Sequence, residues 1–271
     1  MLSCPSTVRL VATDLDGTLL RPDGSVSCRT ARAVRLAQAA GVYVVPVTGR
    51  PPRVTWDVAA AAGLGPLGVC SNGASVVDIS ARAVIEVEHM AEEVSRRLVS
   101  TIRELLPECL FAAEGIAGFV HEAGFMDPEW RWDDDDVTTE VDDISAALDQ
   151  TCVKLVLRQP GLSARELLAH LQTCVGEKGH MTSSGLDWVE IGAPGISKAY
   201  ALERVCRKLQ VEVHEVMAIG DNHNDLTVLA WAGFAAAPAN AIPEVLAIAD
   251  HVLPANYDDG VAMFLELLAQ R

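Results

Sequence analysis

Two acids two residues apart, in Asp14-Leu15-Asp16-Gly17-Thr18, follow the apolar, β-branched run of residues 8–12. The run reads as a buried strand with the acids at its end. Side chains alternate along a strand, so Asp14 and Asp16 are expected to start out on one side, with Gly17 turning the chain. Acids held that close repel each other unless a cation lies between them, and in an open α/β sheet this end of the strand is where ligands bind. The chemistry suggested is metal-assisted, with a carboxylate able to act as nucleophile. Taken alone, the segment fits a surface D-G turn equally well.

Two more apolar runs end the same way. Residues 42–47 run into Thr48-Gly49-Arg50, and residues 213–219 into Gly220-Asp221-Asn222-His223-Asn224-Asp225. Ser197-Lys198 opens an amphipathic helix with apolar positions at Ala201, Leu202, Val205, Cys206 and Leu209. A lysine at a helix N-terminus is electrostatically misplaced, and a bound anion would give it a reason.

The ordered set DLDGT, TGR, SKA and GDNHND resembles the haloacid dehalogenase superfamily, and within it the Cof-type phosphatases with a class IIB cap. Ser71-Asn72-Gly73-Ala74, after an apolar run at 67–70, and Asp258-Asp259-Gly260-Val261-Ala262 fit the same group. The resemblance covers residues 8–85 and 190–265 well and the middle by position only. It implies a Rossmann-like three-layer α/β/α core with a parallel sheet, and an α+β cap inserted between the second and third motifs.

The same resemblance implies roles. Asp14 is the expected nucleophile, forming an aspartyl-phosphate, and Asp16 the acid that protonates the leaving alcohol and then activates water. Mg²⁺ is expected on Asp14, the main-chain carbonyl of Asp16 and Asp221. Asn222 or Asp225 is expected to hold a metal-bound water or to orient that loop. Leu15 and Gly49 through their N–H groups, Thr48, Lys198 and Asn224 are the expected phosphate cradle. Arg50 and Asn72 are substrate-contacting candidates, though Arg50 fits equally an ion pair across a domain interface. Plainer readings exist: Thr48 as an N-cap for a helix near Pro51, Asn222 and Asp225 as turn and cap residues, Asn72 as a turn residue, and His223 as a solvated loop residue. The sequence departs from the family pattern at Ala199, usually glycine, and in Ala235-Ala236-Ala237-Pro238-Ala239-Asn240-Ala241, where proline stiffens the loop.

Spacing locates the cap. Between Asp14 and Thr48 there is room for a turn, a helix at 27–40 and a strand, whereas Thr48 to Lys198 spans 150 residues. The expected domains are therefore 1–85 with 192–271 as catalytic core, and 86–191 as the cap, acting as a lid on hinges at 86–88 and 192–195. Inside it, 90–106 and 163–174 read as helices, and 152–157 and 186–191 as strands. Trp130, Trp132 and Trp188 are either packing residues or a stack for a substrate ring.

Composition sets the outer bounds. The chain has 271 residues, half of them hydrophobic, without an apolar stretch of membrane-spanning length or a charged-then-apolar leader. Seven scattered cysteines with no C-x-x-C pair argue for a reducing cytoplasm. A net charge of −16 argues against nucleic acid as a partner. Much of the acidity falls in residues 127–149, including Asp133-Asp134-Asp135-Asp136, and reads as a solvated face. The expected enzyme is a Mg²⁺-dependent phosphatase of small phosphomonoesters, sugar phosphates first. Flavin-precursor or nucleotide phosphatase, phosphomutase or phosphotransferase, and a non-catalytic phospholigand module are the alternatives.

Overall fold

The computed structural model describes residues 7–127 and 137–270. The chain forms two compact units, residues 1–50, 55–86 and 197–271 in one, and 51–54 with 87–196 in the other.

The first unit is built on five parallel strands in the spatial order His251–Leu253, Phe234–Pro238, Val216–Ile219, Leu10–Thr13 and Tyr43–Pro46. Parallel strands covered on both faces need apolar residues at every position, and Leu10–Thr13 is buried throughout. Val11, Val44, Met217 and Ala236 pack with helices Cys28–Ala39, Pro52–Ala62 and Gly260–Leu268. Their neighbours Ala12, Val45, Ala218 and Ala237 pack with Lys198–Leu209, Leu226–Trp231 and Pro243–Leu246 on the other side. The alternation makes the core a three-layer α/β/α sandwich. The strand read at 213–219 begins only at Val216, because Val213–Glu215 is a single 3₁₀ turn. A second sheet orders Leu67–Cys70, Ser75–Asp78 and Ala83–Val87, the first two antiparallel. Glu86, read as part of a hinge, lies in the last of these strands and pairs with Arg204 and Lys208 at 2.7 and 2.8 Å.

The second unit is α+β. Its six-stranded sheet runs His180–Thr182, Val189–Gly192, Cys152–Arg158, Leu110–Gly115, Phe119–Glu122 and Thr138–Val141, antiparallel except for the last pair. Phe111, Ala113, Leu155 and Leu157 face the helices Glu92–Leu105 and Ala164–Val175, while Ala112 and Val156 face the aromatic group Phe119, Phe125 and Trp188. Ser163 caps the second helix through a reciprocal bond with Glu166. The helix read at 90–106 starts two residues later, because Met90 gives its N–H to the Cys152 carbonyl, and the strand read at 186–191 starts only at Val189. Trp130, Trp132, Asp133 to Asp136 and Cys4 lie outside the described residues.

Candidate active site

Asp14 is the first residue past the strand Leu10–Thr13, and its N–H donates to the Ile219 carbonyl at the matching end of the neighbouring strand, 2.9 Å away. Its buried carboxylate accepts from Lys198 Nζ at 2.6 Å. Lys198 opens its helix behind the N-cap Ser197, whose Oγ accepts the Tyr200 N–H. The ammonium is as buried as any apolar core group, at the wrong end of a helix dipole, and Asp14 and Asp225 answer it at 2.6 Å each. The anion that the lysine's position called for is thus supplied by the protein's own carboxylates. Gly73 (φ +103°) makes the approach possible: a Cβ there would stand 2.0 Å from the Ser197 carbonyl oxygen.

Asp221 follows the strand Val216–Ile219 across Gly220. Asp225, one turn on, folds back over it: Oδ2 accepts the N–H of Asp221 at 3.0 Å and of Asn222 at 3.1 Å, while Oδ1 takes Lys198. Asn222 spends its own Oδ1 on the His223 N–H, so its side chain serves as a cap in this arrangement. Asp221 Oδ1 accepts the Thr18 hydroxyl at 2.6 Å. Gly17 (φ +74°) lets the first motif close on Asp221, since a Cβ there would fall 2.3 Å from Oδ2.

Carboxylate oxygens of Asp14, Asp221 and Asp225 lie within 4.8 Å of one another. Burial pushes the Asp14 carboxyl well above the usual carboxylate range, and the neighbouring acids add to it against the pull of Lys198. Burial, then Asp225, pushes Asp221 up to about 7. Burial works against the Lys198 ammonium, yet its two carboxylates outweigh that and hold it above its ordinary value. One ammonium therefore faces three buried acids, and the deficit is positive charge. An all-oxygen, electron-rich donor set fits a hard divalent cation.

The second motif acid takes a cation of its own. Asp16 (φ −73°, ψ 128°) sits in the tight turn Leu15–Leu19, half-exposed, with both oxygens on the Arg50 guanidinium at 2.7 Å each. Asp14 and Asp16 take different cations, Lys198 and Arg50, because the strand ends before either acid and the tight turn begins after Asp14, yet Asp16 still lies near enough to help raise the Asp14 carboxyl. The carboxylate that Arg50 holds, Asp16, belongs to the same unit. Thr48 does not cap the helix, which begins at Pro52; its Oγ1 accepts the Arg50 N–H at 3.1 Å and its carbonyl accepts the Asn72 N–H at 3.1 Å. Asn72 holds a left-handed turn conformation (φ 55°), and its Oδ1 accepts from Asn224 Nδ2 at 3.1 Å. Leu15 is fully buried beneath the turn. Asp14, Lys198, Asp221 and Asp225 thus come together as one group, with Asp16–Arg50 and Asn72–Asn224 as two others.

The sequence reading missed two supports. Thr18 stands inside the quoted motif, and only its contact with Asp221 gives it a role. The segment read as a loop stiffened by proline is mostly strand, ending at Pro238, and Asn240 follows it: its Nδ2 donates to the Gly17 carbonyl at 2.8 Å, its Oδ1 accepts the Asn256 N–H at 2.9 Å, and Asn256 reaches the Leu20 carbonyl at 2.7 Å. Trp188 is a packing residue, stacked on Phe125 with centroids 6.2 Å apart. Within the acidic stretch, Asp143 caps Ser145 and Asp149 accepts from Thr151.

The first unit is thus a parallel α/β sandwich with a buried Asp–Lys–Asp group at its strand ends, and three acids there that could hold a cation. The chain belongs to the haloacid dehalogenase-like hydrolases: a model of that family matches residues 11–265. It is 28% identical over 261 residues to the 5-amino-6-(5-phospho-D-ribitylamino)uracil phosphatase YcsE of Bacillus subtilis, covering 94% of this chain and 93% of that one. To the pyridoxal phosphate phosphatase YbhA of Escherichia coli it is 27% identical over 270 residues, 96% and 98% of the two chains. A solved haloacid dehalogenase-like hydrolase from B. subtilis superposes with a TM-score of 0.83 at 22% identity, over 96% of this chain and 99% of that one. The fold of the subclass IIB sugar phosphatase BT4131 matches with a TM-score of 0.78 at 17% identity, over 96% and 98%. The protein is thus an enzyme of this hydrolase family whose relatives include named phosphatases. Among the described residues no helix is long and apolar enough to cross a membrane.

Proposed function

We propose that the enzyme hydrolyses phosphomonoesters of small metabolites, with Asp14 as nucleophile and Mg²⁺ as the cation. The observation that carries this reading is the buried Asp14 carboxylate on Lys198 Nζ, beside two further acids that together exceed the positive charge on hand. Asp14, the carbonyl of Asp16 and Asp221 would hold the ion, with Asp225 fixing the Asp221 loop and Asn222 capping it. When bound, the ion neutralises phosphate charge so that an anionic nucleophile can approach.

The protein's own groups do the rest. Asp14 attacks phosphorus in line and the ester oxygen leaves as the alcohol, taking a proton from Asp16; water then attacks the aspartyl-phosphate and gives its proton back to Asp16. Lys198, Thr48, Asn224 and the N–H groups of Leu15 and Gly49 are assigned to the phosphoryl oxygens, where charge develops. The choice of leaving group is assigned to the inserted unit at 86–191. Replacing that segment with a short Gly-Ser linker is expected to spare a small aryl ester and to erase the ranking of natural substrates.

The test is phosphate release from a panel holding sugar phosphates and ring-bearing phosphates of the kinds YcsE and YbhA are named for, with Mg²⁺ and after exhaustive chelation. Turnover with Mg²⁺ that chelation abolishes supports the reading. Full activity after chelation overturns the metal, and no release from any ester overturns the phosphatase.

A further inference from the structure

Among the described residues, the two side-chain cations placed at the site, Lys198 and Arg50, are already bound to carboxylates, so a phosphate that claims either must displace an acid. Lys198 is deep, with Asp14 and Asp225 on it at 2.6 Å. Arg50 is three-quarters covered, its fork closed on the two oxygens of a half-exposed Asp16. The two pairs are not equally hard to open. Parting a buried ammonium from its carboxylates strands charges away from water, whereas a partly exposed ion pair is worth little and its acid can return to solvent. A guanidinium also binds a phosphate dianion in the same two-pronged way as a carboxylate, and the phosphate brings more charge and a third oxygen.

We propose that Arg50 exchanges partners during the reaction, leaving the Asp16 carboxylate for two oxygens of the substrate's phosphate, so that the substrate itself frees Asp16 to take up a proton from solvent and turn toward the leaving group as its acid. Arg50 stands next to Thr48 and Gly49, and its N–H is already fixed by Thr48 Oγ1 at 3.1 Å, so the side chain changes partner without moving its backbone. The exchange makes the enzyme self-gating: before phosphate arrives, the acid–base group is tied up on the cation that phosphate must claim. The proposal rests on the phosphatase reading above for its ligand, and it adds a coupling between Arg50 and Asp16 that a fixed structural clamp would lack.

The experiment is a double-mutant cycle read by calorimetric binding of inorganic phosphate in the presence of Mg²⁺, with para-nitrophenyl phosphate turnover alongside. Arg50→Ala is expected to weaken phosphate binding ~10–100-fold. Asp16→Asn releases Arg50 and is expected to tighten phosphate binding ~2–5-fold, the small value of a half-exposed pair. In the double variant that gain should vanish. A gain that persists without Arg50 is simple relief of charge repulsion and overturns the exchange, as does phosphate affinity unchanged within twofold in Arg50→Ala. Should Arg50→Ala fail to fold, Arg50→Lys keeps the charge and loses the fork. Several-fold weaker phosphate binding then supports the exchange, and unchanged binding overturns it. Turnover without coupling leaves the phosphatase reading standing and the exchange refuted. Coupling without turnover of any ester does the reverse.

Discussion

Each compact unit buries a lysine against acids, and the two arrangements differ in where the backbone puts the charges. Lys154 lies in the middle of the strand Cys152–Arg158, in register with Glu114 on one side, and its Nζ is bonded to Glu190 of the strand on the other side. Its partners come from positions fixed by strand pairing, on the rigid face of an antiparallel sheet. Lys198 lies at a helix start, and its acids come from two loops that leave neighbouring parallel strands. Loops at strand ends gather three acids around one lysine, and burial, with the neighbouring acids adding to it, pushes Asp14 and Asp221 up. Among the described residues, that surplus is where three ligand-type carboxylates share one small space. A charge pair inside a sheet face closes on itself, while one at the ends of parallel strands stays short of a cation and has chemistry left to do.

The sharpest test of that difference is the nucleophile. Asp14→Asn is expected to lower turnover by at least ~10⁴-fold, because an amide cannot form the phospho-enzyme. Mass spectrometry of a rapidly quenched sample should show no phosphorylated protein. Near-normal rates would mean that the Lys198 group is structural after all. The opposite signature is expected for Lys154. Lys154→Met takes the ammonium away from buried Glu190 and should cost ~3–5 kcal/mol in chemical denaturation, whereas Lys154→Met with Glu190→Leu should recover much of that loss. If the single variant costs nothing, the sheet-face pair is not a closed unit and the comparison fails there.

How far the sequence revealed this design follows the same division. The parallel strands and their polar ends were legible, because a fully buried strand is an uninterrupted apolar run and the change to Asp, Thr or Gly-Asp is abrupt. The helix Lys198–Leu209 was legible from its 3.6-residue period and from Ser197 as cap. Partner choice was not. Nothing in DLDGT says that the chain turns so that Asp14 meets Lys198 while Asp16 meets Arg50, since a two-residue alternation holds only while the strand lasts. The Asn240 brace was hidden for a related reason: its worth depends on which carbonyl lies opposite it, over two hundred residues away in sequence. Within the second unit, long elements such as Ala164–Val175 were clear, and strand starts were not, because short strands carry too few alternations to fix an end.

Thr18 refines the contrast by a smaller effect. Its hydroxyl holds one Asp221 oxygen at 2.6 Å and so sets where that carboxylate points. Thr18→Val removes the bond at nearly constant volume. It should weaken Mg²⁺ binding ~10–100-fold by titration calorimetry while leaving the fold intact, the usual cost of losing a partner that orients a metal-binding carboxylate. Unchanged affinity would move Asp221 out of the cation site.

The smallest expected effect tests the charge surplus itself, in protein stripped of metal. An Asp ordinarily titrates near 3.8, and Asp221 is pushed up to about 7, chiefly by burial. Between those two values the folded state holds the proton more tightly than the unfolded state. Stability therefore falls as pH rises from about 4 to about 7 and levels off above that. Asp221→Asn lacks this ionisation and keeps an oxygen for Thr18. The variant should match wild type near pH 4 and exceed it by ~1–3 kcal/mol at pH 8, in denaturant melts with chelator present. Mg²⁺ should reverse the order at pH 8, because only the wild type then has the ionised group that the cation rewards. If wild type is the more stable of the two in chelator at pH 8, the acids are not in surplus. The Lys198 group would then be as self-sufficient as Lys154 and Glu190.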